Sequence, residues 1–294
     1  MTNGIHDNIS IGDYHSNRTH ISATGIKRAK KSLKYFLWGF QNEQERKLHM
    51  EFGNAFELAL LDHKGFEECV AIEQTEAWEH EALMNKPELK NPKQSKLYQE
   101  RKEQFYKANV NRYVIPDIGE QSFMTIEEML KSCYQDQVIQ KLISGTEYQL
   151  SLFWTHEETG LNLKTRPDIC KRKKNVIVNL KTAIDGSPEA FSKDLCKLDY
   201  PLQAAVEIMG CIRTGLMTDV DNYFWLVVEK QPPYNATIYE FDKSDISHSM
   251  DELDYLLHKI ARAKEEEKYP GYSDRADNQH GILTARIPAY YYNR

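Results

Sequence analysis

Hydrophobic positions in the first half of the chain recur at helical spacing; from the middle onward they alternate as in strands. A polar stretch over residues 1–20 reads as a flexible N-terminal segment. Ile26, Ala29, Leu33, Phe36, Leu37 and Phe40 then fall three or four residues apart, predicting one helix from a cap at Ser22 or Thr24 to about Phe40. A second helix is predicted over 48–61, burying Phe52, Ala55, Phe56, Ala59 and Leu60, with Glu57 set among them. Residues 79–108 are charged and interrupted by Pro87 and Pro92, so they read as a surface loop leading into a polar helix over 95–108. Ile126, Met129, Leu130, Cys133, Ile139 and Leu142 predict a helix over 125–143.

Strand-like alternation follows over 148–156, and Glu157-Glu158-Thr159-Gly160 reads as a turn. Residues 161–170 and 176–182 form a predicted hairpin around the basic turn Lys171-Arg172-Lys173-Lys174-Asn175. Helices are expected at the start of 188–199 and over 201–214, a second hairpin from 223–229 and 237–241, and a long helix over 245–268. This order predicts an α/β (α+β) core, a mixed sheet flanked by helices, as a single domain over 21–294 with a C-terminal helix and an aromatic tail.

Composition narrows the classes. With 40% hydrophobic and 28% charged residues, the 294-residue chain has the balance of a soluble globular protein. No apolar run approaches the roughly 20 residues that span a bilayer. The first residues lack the basic and apolar regions of a secretory signal, so a cytoplasmic setting is expected. Five cysteines without a C-x-x-C pair argue against a disulfide framework, a structural zinc site or an iron–sulfur cluster. A net charge of −6 argues against nonspecific coating of nucleic acid, but it leaves room for a local basic channel. Lys27, Arg28, Lys30, Lys31 and Lys34 cluster, as do Lys171 to Lys174; alone, these read as a solvated helix face and a hairpin tip.

The candidate chemistry lies in Thr165-Arg166-Pro167-Asp168 and Asn179-Leu180-Lys181-Thr182. Residues 179 and 181 share one face of a strand, roughly 6–7 Å apart. Asp168 belongs to the hairpin partner, where Pro167 predicts an irregularity that re-aims a side chain. Polar groups gathered on an apolar sheet are costly unless satisfied, and a divalent cation with oxygen ligands would satisfy them. Lys181 would then stand beside an attacking water or the charge developing on a phosphate. The D-x₁₀-N-x-K pattern is short and its residue types are common, so on its own it reads more readily as an ordinary surface hairpin.

Ordered landmarks surround that pattern. Tyr14-His15 with Ile21-Ser22-Ala23-Thr24, Gly53-Asn54-Ala55-Phe56-Glu57 with Leu60-Leu61-Asp62-His63, and Thr159-Gly160-Leu161 through Asp168 come first. Val178 to Thr182, Tyr200-Pro201-Leu202-Gln203, Glu229-Lys230 with Pro232-Pro233-Tyr234, Tyr269-Pro270-Gly271-Tyr272 and Ile287-Pro288-Ala289 follow. Together they resemble, in order and over nearly the whole chain, the RecE-type (exodeoxyribonuclease VIII-like) exonucleases of phages and prophages. The resemblance implies the PD-(D/E)xK restriction-endonuclease-like fold. It implies Mg²⁺- or Mn²⁺-dependent digestion of the 5′-ended strand of linear double-stranded DNA, leaving a 3′ tail for a single-strand annealing protein. It also implies a ring-shaped homo-oligomer. The implied metal ligands are Glu57, Asp168, Asn179 and Leu180. The implied catalytic residues are Asp168, Asn179, Lys181 and Gln203, and the DNA contacts are Lys164, Arg166, Thr182, Gln203 and Ser22. Tyr290, Tyr291 and Tyr292 could stack on bases or pack against the protein.

The chain departs from that pattern. Glu57 stands in place of a metal-binding His, Asn179 in place of the second acid, and Glu207 in place of a Tyr four residues after Gln203; Gln149 lies where a Glu is common. At about 4 Å and an effective dielectric near 20, a unit charge pair is worth about 4 kcal/mol, and a divalent ion feels roughly twice that before desolvation. Loss of the acid at 179 should therefore weaken the metal site, although Glu57 restores the formal charge. Asn179 fits an engineered trap, a rearranged active enzyme, or a catalytically inactive DNA-binding or recombination scaffold of the same fold.

Overall fold

The computed structural model describes residues 1–7, 9–42 and 48–287. The N-terminal segment is ordered into a strand, β1 (Gly4–His6), and a helical turn, α1 (Ile11–Ser16), whose Tyr14 is buried. The single helix expected up to Phe40 is two, α2 (Ala23–Lys31) and α3 (Leu33–Gln41). Ser32 between them is extended, with φ −170° and ψ 157°, and its side chain caps α3 by accepting from the Tyr35 N–H at 3.2 Å. Helix α4 (Leu48–Leu61) has the expected bounds and leads into α5 (His63–Cys69) and β2 (Val70–Ile72).

The expected loop after residue 79 instead begins within a helix, α6 (Thr75–Asn85), which precedes α7 (Lys96–Ala108) and β3 (Tyr113–Ile115). Helix α6 buries little beyond Trp78 and Ala82, which pack with Tyr98 and Phe105 of α7, so its periodic signal is faint. The next predicted helix is likewise broken, into α8 (Phe123–Gln135) and α9 (Gln137–Ile143). Asp136 between them accepts from the N–H groups of Val138 and Ile139 at 2.7 and 3.0 Å.

The sheet region splits at two irregular points. Gln149, with φ +55°, separates β4 (Glu147–Tyr148) from β5 (Ser151–Thr155). Residues 166–168 separate β6 (Asn162–Thr165) from β7 (Ile169–Lys171). Then come β8 (Val176–Ala183), α10 (Pro188–Lys197), α11 (Tyr200–Arg213), the hairpin β9 (Asn222–Glu229) and β10 (Ala236–Glu240), and α12 (Lys243–Glu265). The main sheet has the order β10-β9-β8-β7-β4 and is mixed, with β8 and β9 parallel and its other pairs antiparallel. An antiparallel sheet β1-β5-β6 and a parallel pair β2-β3 complete the strands. The expected single strand over 161–170 thus crosses from one sheet to the other at Arg166-Pro167-Asp168.

Both faces of the main sheet are covered. Ile177, Tyr223, Trp225 and Val227 pack with α2, α11 and α12. Ile169, Val178, Leu180, Leu226 and Val228 pack with α4 and α8 on the other face. Gly210 on α11 lets the helix approach β6 closely, since a Cβ there would meet the Thr165 methyl at 2.6 Å and the Trp154 ring at 2.9 Å. No helix among the described residues is long and apolar enough to cross a membrane.

Candidate functional site

The site begins where β7 runs short. Its last pairing towards the site is Ile169 with Val178, so beyond that point β8 is paired along β9 alone. The Leu180 N–H, on the vacated side, is taken by Asp168, whose Oδ2 accepts it at 2.7 Å. Burial raises the Asp168 carboxyl above its ordinary value, opposed by the positive charge of Lys181, the Leu180 N–H and Arg166. Glu57 reaches the same place from α4. Its carboxyl is pushed up to about 8 by burial and by the Asp168 charge, while Arg166, a hydrogen bond with Gln149 and Lys181 pull the other way. Glu57, Asp168 and Lys181 therefore share one electrostatic environment.

Asn179 is fully buried. Its Nδ2 donates to the Glu207 carboxylate, at 3.1 Å to Oε1 and 3.4 Å to Oε2. Its own Oδ1 is buried without a hydrogen-bond partner. Glu207, on α11, is 2% exposed and also accepts from Gln203 Nε2 at 2.9 Å and from the Tyr223 hydroxyl at 2.8 Å. Burial and the Asp168 charge push its carboxyl up to about 7. The sequence singled out Glu57 as the residue offsetting Asn179; the acid that touches Asn179 is Glu207. The available signal was the Gln203–Glu207 pair, four residues apart on one helix face.

A cationic side faces this acidic group. Lys181 Nζ lies 3.4 Å from Gln203 Oε1 and 4.5 Å from the centre of the Tyr200 ring. Lys27 Nζ lies 3.5 Å from the same amide oxygen, 5.4 Å from the same ring and 2.8 Å from the Leu198 carbonyl. Lys27 is thus tucked against Lys181 rather than spread on a solvated helix face. Burial and the neighbouring Lys181 lower its ammonium to about 8. Two ammonium groups converging on one neutral oxygen make a place for an anion.

Other expected contacts fall elsewhere. Lys164 is buried, its Nζ donating to the carbonyls of Tyr14 and Asn17, so it fastens α1 and is not presented to DNA. Arg166 is committed inward, to the Ile9 carbonyl at 3.1 Å and to Gln149 Oε1 at 2.9 Å, which positions Gln149 beside Glu57. The Leu180 side chain packs in the α4-side core. Thr182 is half-buried opposite Gly53. Ser22 holds the N-cap position of α2 without a side-chain capping bond. Arg172, Lys173 and Lys174 form an exposed tip, and Tyr290 to Tyr292 lie outside the described residues. All five cysteines are unpaired. Glu158, Asp254 and His258 bring metal-capable donor atoms within 4.8 Å of one another, but they are exposed and share no residue with the group around Asp168.

No curated protein matches the chain significantly. Among solved structures, that of a candidate exonuclease from Eubacterium rectale is similar over 98% of both chains, with a TM-score of 0.58 and 15% identity. That likeness concerns the fold alone. Residues 22–280 match the family described as "PDDEXK-like domain of unknown function (DUF3799)", and the chain belongs to that family, with the PD-(D/E)xK fold.

Proposed function

We propose that this protein is a divalent-metal-dependent nuclease, and specifically a RecE-type exodeoxyribonuclease acting on linear double-stranded DNA. The observation that carries the reading is the convergence of Glu57, Asp168 and Lys181 at the notch beside β8, with Glu207 adding a third carboxylate. Three buried acids, all raised by burial and two of them also by the Asp168 charge, are costly to keep. Together with an unpartnered buried oxygen on Asn179, they fit a cation with oxygen ligands. Glu57, Asp168 and Asn179 would hold it, and Mg²⁺ or Mn²⁺ suits such donors. When bound, the cation supplies Lewis-acid charge at the phosphodiester and eases ionisation of the attacking water. Lys181 stabilises negative charge building on the scissile phosphate. Gln203, shared between Lys181 and Glu207, holds that lysine in place, and Lys27 adds a second positive charge on the same side.

Digestion proceeding 5′ to 3′ to leave a 3′ tail, an annealing-protein partner, a ring-shaped homo-oligomer and a phage or prophage setting in the bacterial cytoplasm belong to the same reading, supported by the order of motifs along the chain. The test is digestion of end-labelled linear duplex with Mg²⁺ or Mn²⁺. Metal-dependent loss of the 5′-labelled end, abolished by Asp168→Ala, is expected. Absence of cleavage by the parent chain and by Asn179→Asp alike would favour the noncatalytic DNA-binding scaffold.

A further inference from the structure

We infer that Asn179 and Glu207 together replace one strand carboxylate, Asn179 presenting a neutral oxygen to the cation while Glu207 supplies the charge and fixes the amide's orientation. This rests on the metal-nuclease reading above and deepens it. The two halves of the argument come from opposite ends of one side chain.

At one end, the Asn179 Nδ2 is turned onto the Glu207 carboxylate. A carboxylate accepts and does not donate, so it dictates which way the amide faces. At the other end, Oδ1 is buried with no partner. A bare carbonyl in the interior is an unexplained cost unless something electropositive meets it. It belongs to the residue two before Lys181 on the same strand face, and the intervening Leu180 N–H is bonded to Asp168. Glu207 itself has little capacity left for direct ligation. Oε1 already accepts from Gln203 and Asn179, and Oε2 from Tyr223 and, more weakly, Asn179. It acts through the amide, as outer carboxylates orient and polarise the groups that ligate metals.

The pair also explains itself. Carboxylates at both 179 and 207 would face each other at about 3 Å, and two acids so close cannot both ionise. An acid at 207 therefore goes with an amide at 179. Relative to the pattern with Asp at 179 and Tyr at 207, donor and acceptor have exchanged places across one hydrogen bond. On this account Asn179 is neither an inactivating lesion nor a trap, and Glu207 is a positioning residue.

The test measures Mn²⁺ binding to the full-length chain by titration calorimetry, with metal-dependent thermal stabilisation as a second readout. Glu207→Gln is expected to weaken Mn²⁺ by about 10–100-fold. Asn179→Asp combined with Glu207→Gln, which returns the acid to the strand and a donor to the helix, is expected to recover most of that loss. Asn179→Asp alone is expected to bind Mn²⁺ with release of a proton, seen as a buffer-dependent heat. If Glu207→Gln misfolds, the double variant still decides, because it keeps one acid and one donor. Binding by Glu207→Gln equal to the parent, or a folded double variant that binds no Mn²⁺, overturns the inference. Parent binding that is abolished by Asp168→Ala but indifferent to residue 207 overturns the pair alone. A parent chain that binds no Mn²⁺, or binds it equally with Asp168→Ala, overturns the metal centre itself and the pair with it.

Discussion

Glu57 is the side chain whose environment has the clearest thermodynamic signature. Its carboxyl rises from 4.5 to about 8 on folding, chiefly through burial and then through Asp168. Between those values the folded protein holds a proton that the unfolded chain has released, so stability without metal falls as pH rises from about 4.5 to about 8. Glu57→Gln should flatten the melting temperature against pH across that window and melt higher than the parent near pH 8. Curves that stay parallel would show that Glu57 carries no such penalty. Lys27 gives a second check. Lys27→Met keeps the aliphatic stem while removing the charge beside Lys181, and it should slow duplex cleavage by about 10²-fold without unfolding the protein; an unchanged rate would return Lys27 to the solvated face that its spacing first implied. The sequence displayed Asp168, Lys181 and Glu57 because each sits in a local pattern. It could not display the contact between Asn179 and Glu207, which lie 28 residues apart; only the packing of α11 against β8 joins them.

At the level of elements, the strong periodic signals were legible and their interruptions were not. Helix α4 and the parallel core strands β8 and β9 follow from their apolar patterns. Ser32 and Asp136 break two predicted helices because their side chains bond backbone N–H groups just ahead of them, a competition that periodicity does not register. Helix α6 escaped because it buries only Thr75, Trp78 and Ala82. Helix α11 matters most to the site, since it carries both Gln203 and Glu207, and its seating depends on Gly210. Ala at 210 gains about 1 kcal/mol of helix propensity. Its Cβ, however, would press on the β-branched Thr165 and the Trp154 ring, and overpacking costs about 1–3 kcal/mol. Gly210→Ala should therefore lower stability by about 1 kcal/mol, read as a reduced urea midpoint at unchanged m-value. A stabilised variant would show that α11 has room to move.

For the whole molecule, the mixed sheet divides the apolar interior into two bodies that meet at the notch beside β8. The sequence predicted a flanked sheet, but it gave no means of assigning helices to faces, because that depends on the parallel pairing of β8 with β9. Glu57 enters the notch from the α4 body, and Glu207 closes it from the α11 body. A cation held by Glu57 on one side and by Asn179, backed by Glu207, on the other would act as a rivet through the sheet, coupling the two layers. Backbone amides of α4 and α11 should then exchange with deuterium more slowly, and in step, once Mn²⁺ is added. Slowing confined to one helix would mean that the two layers do not share the ion. On this view the short β7 strand does more than uncover a reactive spot: it leaves an opening through which the two layers can be locked into one cooperative unit only while the protein is loaded for work.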